Sequence, residues 1–125
     1  TNFYQIKAKK GIQINQDIEL YEIKGKFIDD NNELFFIKAD KGLYSQINQI
    51  INLVGNVLIS DEFGNITSTD SATINIENKK IRLLNKVVSI SNTSIIKSDS
   101  SIIDEASGII IYTGNVKVKI ESKWN

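Results

Sequence analysis

The chain has 125 residues, with 15 basic and 15 acidic side chains and a formal net charge of zero. That length suits one domain able to bury a core, and the interspersed charge argues against a nucleic-acid surface. Cysteine and histidine are absent, which excludes disulfides, thiolate metal sites and the commonest catalytic base and metal ligand.

Isoleucine, valine, threonine and aromatic residues dominate the apolar set and favour strands. Methionine is also absent, so the chain reads as a processed product or an excised domain, with a preceding targeting or anchoring segment removed. No apolar run is long enough for a membrane helix.

A first arm runs from Phe3 to Ile14, and turn chemistry then recurs at regular intervals. The reversals are Asn15-Gln16-Asp17, Asp29 to Asn32, Gln46 to Gln49, Glu62 to Asn65, Glu77 to Lys80, Ser91-Asn92-Thr93 and Glu105 to Gly108. Asn, Asp and Gly tolerate positive φ and bond their own backbone, so they mark turns. Seven reversals give eight arms of about a dozen residues in an up-and-down meander. Apolar residues alternate with period two: Tyr21, Ile23, Gly25 and Phe27 share a face, as do Ile51, Leu53, Gly55, Val57 and Ile59, and Tyr112, Gly114, Val116, Val118 and Ile120. No segment has helical periodicity.

Each arm has a weak point near its middle: Lys10-Gly11, Gly25, Lys41-Gly42, Gly55, Ser71-Ala72, Asn85, Ser100-Ser101 and Gly114. Glycine and small polar residues inside strands mark bulges and bends. Bends at Gly25, Gly55, Asn85 and Gly114 are expected to line up along one crease. The meander then folds over into two facing antiparallel sheets of up to sixteen short strands, an all-β fold occupying residues 1–125 as a single domain. The expected inward set is Ile23, Phe27, Ile37, Leu53, Val57, Ile59, Ile74, Ile76, Leu83, Val87, Ile96, Val116 and Val118. It reads equally as a packed core or as a slot for acyl chains, in which each buried methylene contributes about 0.8 kcal/mol.

The polar candidates carry no chemistry. Asp40, Asp70 and Asp99 recur at equivalent positions, but alternate arms lie about 10 Å apart at the strand spacing. Carboxylates so spaced cannot share a metal whose oxygen ligands sit at about 2.4 Å, so they read as solvated residues beside the bend. Asp29, Asp30 and Glu33 lack calcium-loop spacing and read as a solvated hairpin tip. Gly55 and Gly114 precede Asn-Val without a phosphate loop; Tyr4, Tyr21, Tyr44 and Tyr112 read as strand residues; Trp124 reads as a tail residue. No catalytic residue, metal or cofactor is expected, and the chain reads as a non-enzyme.

An open meander leaves its first and last arms as edges, templates for strand addition. The N-terminal edge carries Tyr4, Ile6 and Ala8; the C-terminal edge carries Tyr112, Val116, Val118 and Ile120. Lys7, Lys9, Lys10, Lys117 and Lys119 are the available blockers. Head-to-tail pairing with a partner or with a second copy is the expected use.

The arms also repeat. ADKGLY (Ala39 to Tyr44) aligns with AKKGIQ (Ala8 to Gln13), TDSATI (Thr69 to Ile74) and SDSSII (Ser98 to Ile103), and GNV (Gly55 to Val57) with GKF (Gly25 to Phe27), NKV (Asn85 to Val87) and GNV (Gly114 to Val116). The period is about 30 residues, giving about four copies. A unit of the form Ile37-Lys38-Ala39-Asp40-Lys41-Gly42-Leu43-Tyr44 followed by Leu53-Val54-Gly55-Asn56-Val57 resembles the OstA/LptA/LptC superfamily of periplasmic β-jellyroll (β-taco) proteins. The opening Phe3 to Gly11 is most similar to the LptC periplasmic domain. Ala72 and Asn85 depart from the glycines of the second copy. The resemblance implies an open twisted β-jellyroll that binds the acyl chains of lipopolysaccharide between its sheets. It implies partnership with the inner-membrane Lpt ABC transporter and a downstream LptA-like jellyroll, and a periplasmic location tethered by an N-terminal helix absent here. The alternatives are an LptA-like soluble bridge protein or a purely structural β-repeat module with a filled core.

Overall fold

The computed structural model describes residues 3–121. It contains β1 (Phe3–Ile14), β2 (Asp17–Ile28), β3 (Leu34–Ser45), β4 (Ile50–Asp61), β5 (Ile66–Asn75), β6 (Lys80–Ile90), β7 (Ser94–Asp104), β8 (Ile110–Thr113) and β9 (Lys117–Ile120). No helix occurs among the described residues. The strands form one nine-stranded antiparallel sheet in which β1 to β8 follow chain order and β9 pairs with β7 alongside β8. Every reversal falls where the turn residues place it. Asn15, Asn32, Gln49, Lys79, Gly64 and Gly108 take the positive φ those turns need. Trp124 lies outside the described residues.

The crease is built from bulges. Register shifts by one residue between Lys38 and Lys41 on β3, Val54 and Val57 on β4, Ser68 and Ser71 on β5, and Leu84 and Val87 on β6. The extra residue always lies on the even arm. Gly55-Asn56, Asn85-Lys86 and Gly114-Asn115 each place two consecutive residues at positive φ. Opposite them stand Asp40, Asp70 and Asp99, omitted from the ladder. A Cβ on Gly55 would come within 2.6 Å of Asp40 Oδ2, and one on Gly114 within 2.5 Å of Asp99 Oδ2. The Asn56 amide donates to Asp40 Oδ2 at 2.9 Å and the Asn115 amide to Asp99 Oδ2 at 3.0 Å. The recurrent aspartates thus face solvent, and Asp40 and Asp99 also hold their bulges.

Two expectations about the bends need correction. Gly25 sits in a regular ladder, facing Ile6 on one side and Ile37 on the other. On β2 the irregularity lies at Glu22, whose φ is 54° and which has no ladder partner opposite Lys9 or Asp40. The inward set therefore changes parity there: Leu20 and Ile23 pack into the core while Tyr21 faces out, its ring 5.9 Å from Lys41 Nζ. The arms also stay continuous through the crease, because a bulge leaves one residue unpaired while the ladder resumes beyond it. Among the described residues only the last arm divides, at Gly114–Val116, so they form nine strands rather than sixteen.

The core gathers residues from both halves of the arms. Ile23, Phe27, Ile37 and Val57 come from one side of the crease, and Ile51, Leu53, Ile74, Ile81 and Leu83 from the other, all under 5% exposed. Each contributes about 1.5–3 kcal/mol by leaving water. Gly42 marks the tightest packing: a Cβ there would lie 2.5 Å from Ile23 Cδ1 and 3.2 Å from Leu53 Cδ2.

Candidate functional site

A cavity of about 300 Å³ opens beside this core. Its apolar wall includes Phe27, Phe35, Ile59, Ile96, Ile103 and Tyr112. Register brings Tyr4, Phe27 and Phe35 side by side on β1, β2 and β3, where their rings stack at 5.2 and 4.9 Å. Such aromatic pairs add about 0.5–1.5 kcal/mol each beyond area burial. On the far wall, Tyr112 donates to Ser89 Oγ at 3.2 Å, and Ser89 Oγ lies 2.9 Å from Thr67 Oγ1.

Polar side chains close one end of the cavity. The Tyr4 hydroxyl, on the first arm, donates to Glu105 Oε1, 101 positions away in the β7–β8 turn. Glu105 is only 3% exposed, and its backbone N–H donates to Lys79 O at 2.9 Å. Lys79 Nζ in turn pairs with Asp30 at 3.1 Å. Asp29, expected at a solvated hairpin tip, is 5% exposed. Its Oδ1 accepts from the backbone N–H groups of Asn31 and Glu33, both at 2.9 Å. An aspartate that caps its own turn in this way stays buried because its lone pairs are satisfied. Four segments distant in sequence therefore meet in one clasp beside the cavity: β1, the β2–β3 turn, the β5–β6 turn and the β7–β8 turn.

The electrostatics follow from the geometry. Burial pushes the Glu105 carboxyl above its ordinary range; the bond from Tyr4 opposes this, and the nearby Asp29 and Asp30 add to it. Burial, then the bond to Glu105, pushes the Tyr4 hydroxyl up so that it stays a donor. At the neighbouring β4–β5 turn burial pushes the Asp61 carboxyl up, but bonds from the Asn65 side chain and the Asn65 and Phe63 backbone outweigh it and hold the group low. The cavity wall is largely apolar, and no three-residue group of acids suited to a metal ion occurs among the described residues.

The structure sorts the expected inward residues. Phe27, Ile59 and Ile96 line the cavity. Ile23, Ile37, Leu53, Val57, Ile74, Leu83 and Val87 belong to the filled core instead, and Ile76 packs half-buried against it. Val116 and Val118 are 47% and 56% exposed, against the expectation that they point inward. Val116 lies in the broken bulge of the last arm, and Val118 pairs with Ile96 where no further strand covers it. At the edges, Tyr4, Ile6 and Tyr112 pack against the core, so their side chains are not edge surface, while Ala8 and Ile120 are exposed. Missed by sequence reasoning were Phe35, Thr67, Ser89, Ile103 and Glu105. Phe35 shares the parity of Ile37 and was within reach of the period-two pattern, whereas Glu105 was disguised as a turn residue.

The profile of the family described as lipopolysaccharide-assembly, LptC-related, matches residues 2–121. The fold is similar to the crystal structure of LptH from Pseudomonas aeruginosa, described as the LptA-homologous periplasmic component of the conserved lipopolysaccharide transport device. The TM-score is 0.76 at 6% identity, with 95% of each chain covered. No curated protein matches the sequence. A family match over almost the whole described chain, on an all-β meander of the LptA type, means that the chain belongs to the LptC-related family of lipopolysaccharide-assembly proteins.

Proposed function

We propose that this chain is a non-enzymatic lipid-transfer component that holds acyl chains of lipopolysaccharide between the two halves of its bent sheet. The observation that carries the reading is the apolar cavity, walled by Phe27, Phe35, Ile59 and Ile96 on one half and by Ile103 and Tyr112 on the other. Its rim is polar, so the saccharide part of a bound lipid stays in water. Bonds between distant arms, Tyr4 to Glu105 and Tyr112 to Ser89, support the picture of two facing leaves of a jellyroll. The cavity is at the small end of ordinary ligand pockets, which span about 300–1,000 Å³. A lipid with several chains therefore requires the clasp to open.

Both outer strands support a bridge role. Among the described residues β1 pairs only with β2, and β8 and β9 only with β7, so each side of the sheet offers unpaired backbone groups. In this reading β1 faces the inner-membrane Lpt ABC transporter. The last arm, with Val116, Val118 and Ile120 exposed, accepts the next LptA-like jellyroll. The same edges allow head-to-tail self-association. The family match and the periplasmic description of LptH favour a periplasmic location, with a tether to the inner membrane as part of the proposal.

The test is co-elution of lipopolysaccharide with the purified chain. Ser89→Phe puts a ring into the cavity and should abolish co-elution in a folded protein, whereas Val54→Phe on the outer surface should not. Equal lipid retention by both variants would mean that the lipid does not occupy the cavity, and absence of lipid from the wild type would mean that the domain is a structural module.

A further inference from the structure

The half of the sheet that contains Ile23, Phe27, Ile37 and Val57 turns those side chains inward and the alternate ones outward. Register places Lys7, Lys24 and Lys38 directly opposite one another on β1, β2 and β3. The same row ends with Lys97 opposite Lys117 on β7 and β9. The next outward row carries Lys26 near one end and Lys119 at the other. Between these basic ends lie Phe36, Leu58, Ile66 and Ile90, each 38–46% exposed. Neither row contains a carboxylate. Among the described residues the ion pair of Lys119 with Glu121 is the only one made by any of these lysines.

Like charges directly opposite across a sheet destabilise it, so a run of three facing lysines is a cost to the fold. It is not a habit of the whole surface. On the outer face of the other half, Arg82 and Lys80 share their rows with Glu19, Asp17 and Asp104. We propose that this lysine-rimmed apolar face rests on an anionic phospholipid bilayer surface, a contact independent of the lipid slot. The basic ends of the row are about 34 Å apart at the spacing of adjacent strands, a span short against a continuous bilayer surface. Long lysine stems reach phosphates while Phe36, Leu58, Ile66 and Ile90 settle at the headgroup boundary. An acidic peptide crossing one end would leave the opposite cations and the apolar centre uncovered.

The experiment is sedimentation of the purified chain with vesicles of phosphatidylcholine alone or mixed with phosphatidylglycerol. Binding is expected to the mixed vesicles, to fall with added salt, and to be weak to the neutral ones. Each lysine near an anionic surface contributes roughly fivefold in affinity. The variant Lys24→Glu removes one cation and adds one anion, so it should lose about 25-fold while melting at a higher temperature, because it sets an acid between Lys7 and Lys38 and turns both like-charge contacts into opposite pairs. The higher melting point separates lost contact from lost fold. Lys80→Glu/Arg82→Glu on the other half should leave vesicle binding unchanged. The proposal fails if the wild type ignores anionic vesicles, if Lys24→Glu binds them as well as wild type, or if the variant of the other half loses as much. Loss of an acidic protein partner by the lysine variant alone, with vesicles ignored throughout, would make the face a protein interface and also overturn it.

Discussion

The clasp between Tyr4 and Glu105 gives a quantitative test of how the cavity is held shut. Tyr4→Phe keeps the ring and its stack on Phe27 at 5.2 Å but removes the donor to a carboxylate that is 3% exposed. A hydrogen bond to a charged group is worth about 2 kcal/mol, and a neutral one about 1 kcal/mol. Thermal unfolding should therefore fall by about 8 °C, at about 4 °C per kcal/mol for a chain of this size. Glu105→Gln keeps an acceptor for the hydroxyl and removes the buried charge, so it should match or exceed wild type at neutral pH. In that background Tyr4→Phe should cost only about 1 kcal/mol, leaving a coupling of about 1 kcal/mol in the double-mutant cycle. The pH dependence has a definite sign. The folded-state pKa of Glu105 is raised above its ordinary value of 4.5, so its contribution to stability is fully present below that value. It is lost as pH rises through the raised one. Glu105→Gln should abolish that loss, and Tyr4→Phe should shift it to higher pH by removing the bond that opposes the rise. If the clasp gates the slot, Tyr4→Phe should also speed exchange of bound lipid. An equal cost for Tyr4→Phe in both backgrounds would refute the coupling, and unchanged lipid exchange would refute the gate.

The remaining predictions address the crease, the core, a turn and the edge. Gly55→Ala forces a Cβ to within 2.6 Å of Asp40 Oδ2 at a φ of +87°; it should cost about 1–3 kcal/mol in chemical denaturation, and Asp40→Gly should relieve the steric share. Leu53→Asn puts an amide where the side chain is 1% exposed; it should cost about 3–5 kcal/mol, and lipid retention by its folded fraction would show that Leu53 is core rather than slot. The low Asp61 pKa contributes stability above the ordinary carboxylate range that disappears as pH falls through its lowered value, so Asp61→Asn should flatten the acid limb of the melting curve. Val118→Pro deprives the last arm of a backbone donor; capture of a downstream jellyroll should weaken with lipid binding intact, and unchanged capture would show that this edge is not the docking site.

Much of the architecture was legible because hairpin chemistry is local. Asn15, Asn32, Gly64 and Gly108 announce their turns through residues that accept positive φ, and no distant contact overrides them. The crease was legible where a glycine was obligatory, at Gly55 and Gly114, and at Asn85, because asparagine tolerates the same backbone conformation. It was misplaced on β2, since Glu22 adopts positive φ with no sequence signature, while Gly25 offered one without needing it. The site was harder to read. Alternation separates inward from outward but not core from cavity, and that distinction depends on how the two halves of the sheet approach each other. Leu53 and Ile59 have the same parity on β4, yet one packs against Gly42 and the other lines the void. Glu105 and Asp29 read as solvent-facing turn residues because nothing local reports that two turns 76 positions apart in sequence, as 105 minus 29, share one clasp.

Site-specific photo-crosslinking to lipopolysaccharide tests the central claim most directly. A photoreactive residue at Ile59 or Ile96 looks into the cavity, while one at Val54 looks out from the same sheet with 56% exposure. The account predicts adducts from Ile59 and Ile96 and none from Val54. Adducts from Val54 as abundant as those from Ile59 would contradict it.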